Sequence, residues 1–110
     1  MIILSGFAVR LRHPIFWVSF MEALMPNVEI YTTAFCPFCS RAKSLLDRKG
    51  VAYTEHDVMM NGSLRKKMTD MAGSRSVPQV FVDGEHIGDC DEIHALDAKG
   101  ALDNLLGLGD

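Results

Sequence analysis

The sequence predicts an α/β domain, a four-stranded mixed β-sheet flanked by helices in the order β-α-β-α-β-β-α-α. Three observations carry this expectation. Short β-rich runs alternate with stretches whose apolar residues recur at helical spacing. Asp83-Gly84, between two such β-rich runs, is a hairpin turn signal. Gly50, Gly73, Gly100 and Gly107 each follow a helical stretch, where a left-handed residue ends a helix. The chain has 110 residues, one domain's length and enough to bury a core without staples.

Residues 1–24 do not match the rest. Ile2 to Val9 is mostly apolar, Arg10 and Arg12 interrupt it, and Ile15 to Phe20 is apolar again. Neither run approaches the ~20 residues of a membrane span. A secretory signal has its charges before the apolar core, and here they come after it. An organelle transit peptide is acid-poor and Arg-rich, but two arginines support that weakly. The expectation is an N-terminal extension outside the fold, an upstream start or a targeting segment, with Met21 or Met25 as the alternative start. The domain is then residues 25–110.

Val28 to Tyr31 reads as the first strand. Phe38, Ala42, Leu45 and Leu46 fall on one face of a helix that Gly50 stops. Val51 and Tyr53 alternate with Ala52 and Thr54, which predicts the second strand there. Strand, helix and strand at this length form a βαβ unit with a right-handed crossover. Ser63 is the expected cap of a second helix with Leu64, Met68 and Met71 inward. Val77-Pro78 starts the third strand, Gln79 to Val82, and Glu85-His86-Ile87 returns antiparallel. Asp91 is the expected cap of a third helix with Ile93 and Leu96 inward. Leu102, Leu105 and Leu106 predict a last short helix.

Between the first strand and first helix lies Cys36-Pro37-Phe38-Cys39. A Cys-x-x-Cys pair in that position is a dithiol redox signature. Unpaired N–H groups and the dipole at a helix N-terminus favour a thiolate, the reactive form, over a thiol. The second cysteine lies one turn on, within reach of a mixed disulfide formed by the first. Pro37 suits the first helical position, where its missing N–H costs nothing. A structural zinc site needs four ligands, usually two close pairs, and the sequence has one close pair plus Cys90. An odd cysteine count with one close pair fits a reducing compartment and a cycling disulfide. Net charge is −3, which argues against a nucleic-acid binder. Basic residues predominate from Arg41 to Arg75 and acidic ones from Asp83 onward. Most of these are solvated faces; the functional alternative is a ligand of both charge signs held between the two halves.

The order of elements is the thioredoxin-like arrangement. From Asn27 onward the chain resembles the dithiol glutaredoxins, in particular the small bacterial type. Asn27-Val28-Glu29-Ile30-Tyr31-Thr32, Cys36-Pro37-Phe38-Cys39, Ser76-Val77-Pro78 and Gly88-Asp89-Cys90-Asp91-Glu92 carry the resemblance. It implies a glutathione-dependent oxidoreductase that reduces protein disulfides and glutathione mixed disulfides and donates electrons to reductases. Cys36 is then the nucleophile and Cys39 the resolving thiol, with Pro37 and Phe38 in support. Val77 and a cis Pro78 meet the cysteinyl part of glutathione. Gly88 shapes the turn at which Cys90 and Asp91 take the γ-glutamyl group, and Arg65 meets the glycine carboxylate. Glutathione is a co-substrate and no tightly bound cofactor or metal is implied. The implied partners are glutathione, glutathionylated and disulfide-containing proteins and, indirectly, glutathione reductase; no nucleic acid or membrane is implied. A monomer in the cytoplasm follows from the same resemblance.

Three positions depart from the family pattern. Phe38 stands where a Tyr is common. Asp89 replaces the second of two glycines; if that position has positive φ, Asp is among the less costly replacements. Thr33 replaces a frequent Lys three residues before the first cysteine, which predicts weaker glutathione binding. A second reading is a [2Fe–2S] carrier, whose usual motif is Cys-Gly-Phe-Ser. Phe38 fits that motif, while Pro37 and Cys39 do not.

Overall fold

The structure, a computed structural model, describes residues 26–108. The expectations for residues 1–24 therefore lie outside the described residues. The elements are β1 (Val28–Thr32), α1 (Pro37–Lys49), β2 (Thr54–Asp57), α2 (Gly62–Ala72), β3 (Gln79–Val82), β4 (Glu85–Gly88), α3 (Cys90–Ala98) and α4 (Leu102–Leu105). The sheet order is β2-β1-β3-β4, with β1 parallel to β2 and the other neighbours antiparallel. This is a thioredoxin-like fold.

The two central strands alternate strictly. Val28 and Ile30 of β1, with Val80 and Val82 of β3, face Ala42, Leu45 and Leu46 of α1, Ile93 of α3 and Leu102 and Leu106 at α4. Tyr31 and Phe81 turn to the opposite face, against Val58 and Met68. Their rings meet edge to face, with centroids 5.4 Å apart, an arrangement that aromatic quadrupoles favour. The sheet thus lies between α1, α3 and α4 on one side and α2 on the other. That arrangement carries the C-terminal end of β1 directly into the N-terminus of α1.

The structure corrects four local expectations. β2 spans Thr54–Asp57 rather than Val51 to Thr54. It is an edge strand ordered by its ladder to β1, so its Thr-Glu-His-Asp sequence carries no apolar alternation. Val51 and Tyr53 pack on the core from the preceding loop. Asn61, not Ser63, caps α2, its side chain accepting from the Leu64 amide at 3.0 Å. Met71 is exposed, and Ala72 packs in its place. Asp89, not Asp91, caps α3. The hairpin is as expected: Asp83 and Gly84 both have positive φ (52° and 83°), as a two-residue type I′ turn requires.

Candidate active site

Cys36 is the N-cap of α1, with extended backbone and Pro37 as the first helical residue. Its Sγ accepts a hydrogen bond from the Cys39 amide at 3.1 Å. The sulfur therefore takes the place of the oxygen that usually caps a helix, facing amides that have no intrahelical partner. Such a setting favours negative charge on the sulfur. Cys36 is half-buried, whereas Cys39 is 2% exposed. Burial first, and then the neighbouring Cys36 sulfur, push the Cys39 thiol up to about 12. One sulfur is thus reachable at the helix N-terminus, and the other is held behind it as a thiol.

Phe35, immediately before Cys36, has φ 56° and is 97% exposed. A positive φ at a bulky residue is uncommon. Phe38 is also exposed, with the Arg41 guanidinium 4.7 Å from its ring centroid.

A cleft of about 200 Å³ lies beside the cysteine turn. Phe38, Val77, Pro78, Asp89, Cys90 and Asp91 line it. The Val77-Pro78 peptide is cis. Four of the residues expected to bind glutathione are therefore brought together from two separate stretches of the chain. Cys90 and Asp91 are the first residues of α3, where backbone amides lack intrahelical partners. Cys90 is buried, and burial raises its thiol's pKa. Its Sγ lies 3.6 Å from His94 Nδ1.

Asp89 has φ −93°, ordinary extended backbone. Its Oδ1 accepts from the Glu92 amide and the Glu92 carboxylate accepts from its own amide, both at 2.9 Å. This is a full capping box, so the departure from glycine has a structural reason. Gly88 does need to be glycine. Its φ is 140°, and a Cβ there would come within 2.5 Å of Glu92 Cβ.

Arg65 is not in the 200 Å³ cleft. It lines a separate depression with Lys66, Thr69 and Arg75, and its Nη2 donates to the Arg75 carbonyl at 3.0 Å. Thr33 is not in the Val77-Pro78 cleft either; it lines a larger cavity of about 540 Å³ with Cys36.

That larger cavity holds charged residues that no motif in the sequence marks as part of a site. Lys43 Nζ donates to Glu55 Oε2 at 2.9 Å, and Thr32 Oγ1 donates to the same oxygen at 2.6 Å. The Thr32 hydroxyl and the Lys43 ammonium hold the Glu55 carboxyl below its usual range. Lys43 follows Cys39 by four residues, so helical spacing alone places it near the thiol. Glu55 has no such signal, because its strand carries no apolar alternation. Among the described residues, no group of three or more His, Cys, Asp or Glu is set to hold a metal ion.

The glutaredoxin family model matches residues 28–87. Glutaredoxin 3 of Escherichia coli K12 is 51% identical over 82 residues, covering 74% of this chain and 99% of that protein. Among solved structures, that of a Brucella melitensis glutaredoxin superposes with a TM-score of 0.69 at 43% identity, covering 78% of this chain and 94% of the other. A dithiolic glutaredoxin of Trypanosoma brucei brucei superposes at 0.66 with 34% identity, covering 80% and 92%.

Proposed function

Because the chain belongs to the glutaredoxin family, we propose that Cys36 is its nucleophile and Cys39 its resolving thiol. The protein is a glutathione-dependent thiol–disulfide oxidoreductase. The observation that carries the role assignment is the asymmetry of the pair: Cys36 Sγ is half-exposed and accepts from the Cys39 amide, while Cys39 is buried.

The reaction follows from that asymmetry. The Cys36 thiolate attacks one sulfur of a substrate disulfide. A Cys36–S–S–R bond forms, the other sulfur leaves as a thiolate, and that thiolate takes up a proton. In the free protein burial, and then the hydrogen bond with the Cys36 sulfur, hold the Cys39 proton. Once Cys36 is in a mixed disulfide, its sulfur no longer holds that proton as a thiolate partner would. Cys39 then loses its proton and attacks Cys36 Sγ, expelling R–S⁻. Where R is glutathione, a second glutathione thiolate can instead attack the glutathione sulfur of that mixed disulfide, forming glutathione disulfide and releasing the Cys36 thiolate, which makes Cys39 dispensable for glutathionylated substrates.

For glutathione itself, the 200 Å³ cleft supports an extended cysteinyl backbone along Val77 and Pro78. The Cys90 and Asp91 amides suit the γ-glutamyl carboxylate, and the Asp91 side chain its ammonium. Arg65 is kept as the residue for the glycine carboxylate, reached from outside that cleft. Gly88, Pro37 and Phe38 keep the supporting roles expected of them. We also propose protein disulfides and glutathionylated proteins as substrates, an indirect link to glutathione reductase, a monomeric state and a cytoplasmic location. No helix among the described residues is long and apolar enough to cross a membrane.

The test is a glutathione-coupled assay with a small glutathione mixed disulfide and with a protein disulfide. Cys36→Ser is expected to abolish both activities. Cys39→Ser is expected to retain the first and lose most of the second. The reverse pattern would exchange the two roles.

A further inference from the structure

The cavity of about 540 Å³ is lined in part by the buried Cys39 and shares no lining residue with the Val77-Pro78 cleft. Thr33, Cys36, Cys39, Lys43, Glu55 and Asp57 are among its lining residues. Lys43 is one turn beyond Cys39 on the same face of α1. It is the only cation lining this cavity among the described residues. Its ammonium is anchored to Glu55 on β2, and Glu55 is itself tied to Thr32 on β1. The charge is therefore held in place from both the helix and the sheet. It is partly offset by the carboxylate that holds it.

We propose that the Lys43–Glu55 pair sets the rate of the resolving step, Lys43 placing positive charge beside the Cys39 sulfur and Glu55 moderating it. This deepens the function proposed above and rests on its assignment of Cys39. Lys43 and Glu55 are positioning residues, acting through Cys39 and not on the substrate.

In the resolving step Cys39–SH releases its proton to water in the cavity. The resulting thiolate attacks Cys36 Sγ of Cys36–S–S–R. The Cys36–Cys39 disulfide forms, and R–S⁻ leaves and is protonated. The dithiol is oxidised by two electrons and the substrate sulfur is reduced. In the opposite direction a glutathione thiolate attacks Cys36 Sγ and Cys39 departs as a thiolate. Positive charge beside Cys39 assists both directions.

The titratable groups that line this cavity with Cys39 are Cys36 from the preceding turn, Lys43 on α1, and Glu55 and Asp57 on β2. Burial and Cys36 raise the Cys39 thiol's pKa, and the Lys43 ammonium works against them. A lower thiol pKa raises the thiolate fraction but lowers its intrinsic nucleophilicity, so the net gain in rate is damped.

The experiment mixes reduced protein with glutathione disulfide, quenches with acid and separates the species by mass. The Cys36–glutathione adduct and the intramolecular disulfide are followed in single turnover from pH 6 to 9. Lys43→Met is expected to slow conversion of the adduct about three- to tenfold at every pH, displacing the rate–pH line without changing its slope. Lys43→Arg keeps the charge and is expected to stay within about twofold of the parent. Glu55→Gln removes the opposing charge and is expected to speed conversion about two- to threefold.

A purely structural tie between α1 and β2 would be broken by either change, and both would then act in the same direction. Equal rates in all variants, or slowing in both Lys43→Met and Glu55→Gln, overturns the proposal while leaving the roles of the cysteines intact. Failure of any protein to form the Cys36 adduct overturns the proposal together with the assignment on which it rests.

Discussion

Gly88 shows how one residue can decide the shape of the site. Its φ is 140°, and a Cβ placed on it would stand 2.5 Å from Glu92 Cβ, which leaves no room for a side chain. Gly88→Ala is expected to cost about 2–4 kcal/mol, combining backbone strain with overpacking. Denaturant unfolding of the two proteins measures this. A loss below about 0.5 kcal/mol would mean that the β4–α3 corner relaxes freely. The sequence marks Gly88 only through its resemblance to a family pattern; the collision with Glu92 needs the corner in three dimensions. Phe35 is the opposite case. Nothing in the sequence signals a positive φ there, because aromatic residues have no preference for it. The tight turn from β1 into α1 imposes it.

At the scale of elements, α3 is started by the reciprocal bonds of Asp89 and Glu92. Asp89→Ala is expected to lose about 0.5–2 kcal/mol, and Asp89→Gly only a few tenths. Thermal or denaturant unfolding of both variants checks the ranking. Equal losses would show that the carboxylate contributes little to the cap. The Asp-x-x-Glu spacing is present in the sequence. Asp91, two residues later, also fits a cap, and pattern alone separates neighbouring helix starts poorly. β2 escapes its pattern for a different reason. An apolar alternation marks a strand with one buried face, and this edge strand has its ladder to β1 but little buried side-chain surface. The helices α1 and α2 and the hairpin are legible because their apolar spacing, glycine stops and Asp-Gly turn are local.

At the scale of the whole molecule, two apolar clusters on opposite faces of one sheet hold the described residues together. Among the described residues, both clusters close on side chains from Val28 to Leu106. We therefore propose that residues 1–24 are dispensable for the fold. A chain lacking them is expected to keep its melting temperature within about 3 °C, less than the shift expected from ~1 kcal/mol, and to keep its activity. A large fall in either would show that the extension packs on the domain. By itself the sequence determined the order of elements, the dithiol at a helix N-terminus and the family resemblance. These are written in local spacing and in short motifs, and local spacing needs no partner to be read. Only the tertiary structure decided that Val77, Pro78, Cys90 and Asp91 share one cleft while Arg65 lies in another. It alone brought Glu55 to Lys43 and Thr32, because the parallel pairing of β2 with β1 joins residues that no periodicity within either segment connects.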